Sequence, residues 1–76
     1  MTQQQKILKY LLKHPNGMTM RDGYLMYINS PHKRVKELEE QGVKIAHIPI
    51  QTKQGKRIVL YVLKDPHQEE ISAIMG

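Results

Sequence analysis

The chain predicts an α+β domain of three helices and a β-hairpin, closed by a short terminal helix, and three observations carry that expectation. Apolar residues recur at helical spacing up to Gly42. Beyond Gly42 the period changes to β-branched runs on either side of a Gly55 turn. Cap and turn residues stand at each change of pattern.

The first helix opens on Thr2 with Gln5 three residues later, a capping-box spacing, and Ile7, Leu8, Leu11 and Leu12 give it an apolar face. Lys6, Lys9 and Lys13 fall on another face. His14 precedes a proline, and Pro15-Asn16-Gly17 is strong turn chemistry, so the helix should stop near Lys13. Thr19 and Asp22 repeat the cap spacing for a second helix from about Met20 to Met26, with Leu25 and Met26 expected inward. Gly23 weakens this helix, because an interior glycine costs ~1 kcal/mol against alanine. Tyr27 to Asn29 then forms a turn over a buried Ile28.

Ser30 is expected as the N-cap and Pro31 as the first residue of the third helix, which spans about 30 to 41 and ends on Gly42. Val35 and Leu38 face inward. On the helical wheel this sends Lys33, Lys36, Glu37 and Glu40 to the opposite side, with His32 and Arg34 on the flanks. The charge layout is unusual. His32, Lys33, Arg34 and Lys36 crowd the N-terminal half while Glu37, Glu39 and Glu40 crowd the C-terminal half, the reverse of what the helix macrodipole favours. The four-apart pairs Lys33–Glu37 and Lys36–Glu40 run in the weaker orientation. Cations at the positive end of a helix point to an anion outside the chain.

Val43 to Ile50 and Arg57 to Leu63 read as the two strands of the hairpin, joined by Gln51 to Lys56. Pro49 cannot donate to a ladder and belongs at an edge or a bulge. Asp65 and Pro66 are expected to cap and start the terminal helix, with Gln68 completing a capping box. Ile71, Ile74 and Met75 form one apolar stripe on that helix, which either folds back on its own domain or pairs with a second copy as a dimer contact. Residues 1–64 are expected to form the domain of three helices and a hairpin, and 65–76 a C-terminal helical tail.

Composition bounds the function. The chain has 76 residues and no Cys, Trp or Phe, so a small core must come from Leu, Ile, Val, Met and Tyr. No disulfide or thiolate site is available to it. Lack of cysteine fits a reducing, cytoplasmic setting, and the chain nowhere reaches the ~20 apolar residues of a membrane span, so no membrane partner is expected. The formal net charge of +5 favours a polyanionic partner. Before Glu37 the only acid is Asp22, and none occurs from Val43 to Lys64. His14, His32, His47 and His67 are scattered without ligand spacing, and no glycine loop cradles a phosphate. Neither a metal, a cofactor nor an enzyme activity is expected.

Helix, helix, turn, helix and basic hairpin is the order of a winged helix-turn-helix. The stretches ILKYLLKHPNGMT, INSPHKRVKELEEQGVKI and GKRIVLYVL resemble the small winged helix-turn-helix domains common in bacteriophages and bacteria. The likeness covers roughly Lys6 to Leu63 and rests on Arg34-Val35, Leu38, Gly42 and Ile45, which are mostly structural. It departs from the pattern at Gly23 and at Pro31-His32, where such domains carry helix formers. The resemblance implies binding of double-stranded DNA.

The expected contacts are Asn29, Ser30, His32, Lys33, Arg34 and Lys36 from the third helix, and Lys53, Gln54, Lys56 and Arg57 from the wing. Lys33 or Arg34 suits guanine and Glu37 suits cytosine N4, whereas the wing suits the phosphate backbone. Arg21 stands where it can clamp a phosphate. A transcriptional regulator, nucleoid-associated when bound, is the leading expectation. An excisionase-type DNA-bending factor and a winged module that docks a protein partner are the alternatives. No exposed aromatic platform for single-stranded nucleic acid is expected.

Overall fold

A computed structural model describes residues 2–75. It is an α+β structure with helices α1 (Gln3–Lys13), α2 (Met20–Leu25), α3 (Pro31–Glu40) and α4 (Glu69–Met75), and strands β1 (Ile45–Gln51) and β2 (Arg57–Leu63) between α3 and α4. Four helices and a two-stranded antiparallel hairpin are compatible with a winged helix.

Both early helices start as their sequences dictate. Thr2 Oγ1 accepts from Gln5 N at 3.1 Å while Gln5 Oε1 accepts from Thr2 N at 3.0 Å, and Thr19 and Asp22 repeat the exchange on α2. The inward stripe of α2, however, is Met20, Gly23 and Met26. Gly23 is buried, and Leu25, expected inside, is 67% exposed. The reason is steric. Gly23 lies against Pro31, where a Cβ would come within 2.5 Å of Pro31 Cγ, so α2 turns its glycine face to α3 and its leucine to solvent. Leu12, at the edge of the α1 stripe, is also exposed.

Two helices end with the same hydrogen-bond motif. At the end of α3, Gly42 N donates to Glu39 O at 3.0 Å and Val43 N to Leu38 O at 3.1 Å, with Gly42 at φ 99°. At the end of α2, Tyr27 N donates to Tyr24 O at 2.9 Å and Ile28 N to Gly23 O at 3.1 Å, with Tyr27 at φ 60° in the position that glycine usually fills. In each case the residue after the left-handed one, Ile28 or Val43, is driven into the core.

Ser30 occupies the N-cap position of α3 as expected, with its carbonyl accepting from Lys33 N and Arg34 N, but its side chain does not cap the helix. Ser30 sits at φ 50°, ψ 68°, and its side chain makes no cap hydrogen bond. Two left-handed residues within four positions make the α2–α3 turn tight, and Pro31, buried at the first position of α3, fixes its exit.

The hairpin register is continuous from Ile45 opposite Leu63 to Gln51 opposite Arg57, with Pro49 opposite Val59 and no bulge. Every strand of a two-stranded hairpin has a free edge, which is how Pro49 is tolerated. Thr52 O accepts from Gly55 N and Thr52 N donates to Lys56 O, closing a three-residue tip with Gly55 at φ 80°. On the far edge of β2, Met18 and Tyr61 exchange both backbone hydrogen bonds at 2.8 Å, tying the α1–α2 connection to the hairpin base.

The core joins Ile7, Leu8 and Leu11 of α1 to Val35 and Leu38 of α3, with Met18, Ile28 and Val43 from the connections and Ile45 and Tyr61 from the hairpin base. Ile71 of α4 completes it, and Ile74 and Met75 pack against it. The apolar stripe of α4 therefore folds back, and the residues weighed as a dimer contact lie on their own core.

Helix α4 starts later than expected. Asp65 Oδ1 accepts from His67 N at 2.9 Å in a local turn, and Gln68 spends its amide on Lys44, accepting from Lys44 N at 2.6 Å and donating to Lys44 O at 3.0 Å. Gln68 is buried by that clasp, not free for a capping box. Among the described residues no helix is long and apolar enough to cross a membrane.

Candidate nucleic-acid interface

A groove of about 770 Å³ runs between the helices and the hairpin. Thr19, Met20 and Arg21 come from the start of α2, His32 from the start of α3, and Thr52, Lys56 and Arg57 from the tip and first residue of β2, with Ile58, Val59 and Tyr61 along β2. Arg21, His32, Lys56 and Arg57 are exposed side chains, and no acid lines the groove. Asp22, next to Arg21, directs its Oδ2 to the N–H and hydroxyl of Thr19 at 2.9 and 3.1 Å, completing the α2 cap. The concave wall thus presents three permanent cations and one imidazole to an anion.

The placement of the expected contacts divides them into a groove set, an exposed set, and Ser30 and Arg34, each placed differently. His32, Lys56 and Arg57 meet in the groove, joined by Arg21. Lys33, Lys36 and Asn29 are exposed around α3, and Lys53 and Gln54 at the hairpin tip, outside the groove lining. Ser30 is half-buried in the turn, where its hydroxyl has no capping role.

Arg34 behaves differently. Its Nε lies 2.9 Å from Glu37 Oε1 and its Nη2 donates to Glu37 Oε2 at 3.2 Å. Glu37 Oε1 also accepts from Gln4 Nε2 of α1 at 2.9 Å. Glu37, expected on the outward face and able to take a cytosine amino proton, is half-buried on the flank of α3 that meets α1. The reason is that α1 packs beside this flank and brings Gln4 to it, a long-range neighbour invisible to a helical wheel. Glu39 is likewise engaged, 2.9 Å from His47 Nε2 on β1. Glu37 and Glu39 are thus engaged with Arg34, α1 and the hairpin base, while Glu40 stays exposed, as do Lys33 and Lys36.

The hairpin base is anchored through the same residues. His47 packs edge-on against Tyr61, ring centroids 5.1 Å apart. Burial, followed by the charge of Glu39, raises the Tyr61 hydroxyl pKa above its ordinary value, so the phenol stays protonated. Among the described residues no cluster of His, Asp and Glu could hold a metal ion.

One exposed set lies outside the expectations. Tyr24 is 57% exposed and Tyr27 92% exposed, flanking the exposed Leu25 at the end of α2. Sequence reasoning missed it because Tyr27 occupies a left-handed turn position without glycine or asparagine to announce it.

Comparison with protein-family models, curated proteins and solved structures finds no match to this chain.

Proposed function

We propose that the chain is a winged helix-turn-helix protein that binds duplex DNA, with α3 directed to the major groove and the hairpin acting as the wing. A phage or bacterial transcriptional regulator is the role that suits such a module. The observation that carries this reading is the convergence of Arg21, His32, Lys56 and Arg57, from three separate segments, on one acid-free groove between α3 and the hairpin. A sugar-phosphate strand is a linear polyanion, and a groove between a helix start and a wing can follow it while Lys33 and Lys36 face base edges or flanking phosphates. Wing cations then set affinity, and α3 sets sequence preference.

The test is anisotropy of a labelled duplex titrated with the protein over a range of salt. Binding should weaken steeply with salt, and Arg21, Lys56 and Arg57 together changed to Ala should reduce the slope of log K against log salt by about three. Salt-insensitive binding, or an unchanged slope in the triple variant, sinks the proposal. Selection from random duplexes then separates a regulator, which enriches a motif, from an architectural protein, which bends DNA with little motif.

A further inference from the structure

A second concave surface lies on α1, sharing no residue with the groove beside the hairpin. It is an open, shallow depression of about 290 Å³ lined by Lys6, Lys9, Tyr10, Lys13, His14 and Met26. The Tyr10 and His14 rings stack at 4.0 Å, forming a flat wall, and the Met26 thioether supplies a deformable one. The three lysines come from successive turns of α1 and no acid joins the lining. Next to Met26 in the chain stand Leu25 and Tyr27, both exposed.

We infer that this face docks an acidic segment of another protein that inserts one apolar side chain between Tyr10 and Met26 and sets its carboxylates against Lys6, Lys9 and Lys13. Charge complementarity selects the sign of the partner, and the apolar walls select its class. A DNA strand presents phosphates to lysines but has no aliphatic side chain for a pocket walled by a tyrosine ring and a thioether. A second copy of this chain fits poorly. Ile71, the apolar neighbour of Glu69 and Glu70, is buried in its own core, Glu37 and Glu39 are engaged with Arg34 and His47, and exposed Glu40 has as its nearest apolar residue in the chain Leu38, which is fully buried. Because the two surfaces are separate, a duplex in one groove leaves the other free, which is the arrangement a DNA-bound recruiter needs. The inference does not depend on the DNA reading.

The probe is a labelled peptide of about twelve residues with glutamates around a central leucine, titrated into the full chain and followed by amide chemical shifts. Shifts should centre on Lys9, Tyr10, Lys13 and Met26. Lys9→Gln with Lys13→Gln should weaken the peptide about tenfold and, at about 0.15 M salt where charges more than a Debye length apart are screened, leave duplex affinity within about twofold. Changing the peptide leucine to alanine should cost about fivefold, since an anchored side chain carries a disproportionate share of binding. Absence of binding overturns the inference, as does indifference to the leucine, which would show charge attraction alone. Equal loss of duplex binding in the lysine variant would assign the face to nucleic acid, and concentration-dependent self-association abolished by that variant would assign it to a second copy; either overturns it. Circular dichroism of the variant checks that these exposed helix positions leave the fold intact.

Discussion

Gly23 and Pro31 pack against each other so closely that a Cβ on Gly23 would sit 2.5 Å from Pro31 Cγ and 2.6 Å from Pro31 Cβ. The glycine allows α2 to approach the first turn of α3, and the proline ring fills the space it leaves. Gly23→Ala should therefore destabilise the protein. The helix gains about 1 kcal/mol of propensity, but overpacking a site this tight costs about 1–3 kcal/mol. A urea titration of Gly23→Ala, Pro31→Gly and the double variant measures it, and the losses should be non-additive because Pro31→Gly removes both atoms, Cγ and Cβ, that the new Cβ would meet. A stabilised Gly23→Ala would show that the two helices separate easily.

Tyr27 carries the opposite expectation. A left-handed non-glycine residue costs about 1–2 kcal/mol, and glycine returns about 0.5–1 of that in chain entropy, leaving Tyr27→Gly more stable by up to about 1 kcal/mol. The exposed side chain surrenders little packing in exchange. Thermal denaturation should show a higher midpoint, and a lower one would mean the ring is bracing the turn.

The Arg34–Glu37 pair makes a third prediction. Glu37→Gln keeps an amide oxygen for Gln4 while freeing the guanidinium and deleting a negative charge from α3. Duplex affinity at low salt should rise about threefold, because one more cation becomes available to phosphate. Arg34→Ala should cost less than Lys33→Ala with Lys36→Ala. Weaker binding by Glu37→Gln would instead give Glu37 a direct role at a base.

Alkali supplies a fourth. Burial, with Glu39 in second place for Tyr61 and Asp22 for Tyr10, raises both phenol pKa values in the folded state. The folded chain then holds protons that the unfolded chain has released, so stability is complete below the ordinary tyrosine value and declines from about pH 10 upward. Tyr61→Phe should flatten part of that decline in urea titrations at successive pH values. A decline of equal depth in the variant would locate the effect elsewhere.

The elements whose signals are local were legible in the sequence. Two capping boxes, the Gly42 terminus and the Gly55 tip are set by residues within a few positions of each other, and each is found. The phase of α2 was not legible, because six residues hold too little of a period to orient a helix, and its direction is fixed by Gly23 against Pro31. Likewise, Gln4 on Glu37, Gln68 on Lys44 and Met18 on Tyr61 join distant positions by one or two hydrogen bonds that leave no periodic trace. For the candidate site, the cationic residue types were readable, but their division into a groove set, an exposed set and one ion-paired arginine needed the three-dimensional arrangement.

The hairpin has one further consequence. Its base is fastened by Met18, His47 and Tyr61, while Ile48, Ile50, Ile58 and Val59 farther out remain exposed on a ribbon of only two strands. Such a ribbon is marginal in water. It behaves as a cantilever, clamped at one end, with Lys53 and Lys56 at or beside the free one. Amide exchange should run fastest at the tip and slow toward Tyr61, and on the proposed DNA-binding reading that gradient lets the outer hairpin settle against a duplex without disturbing the helices.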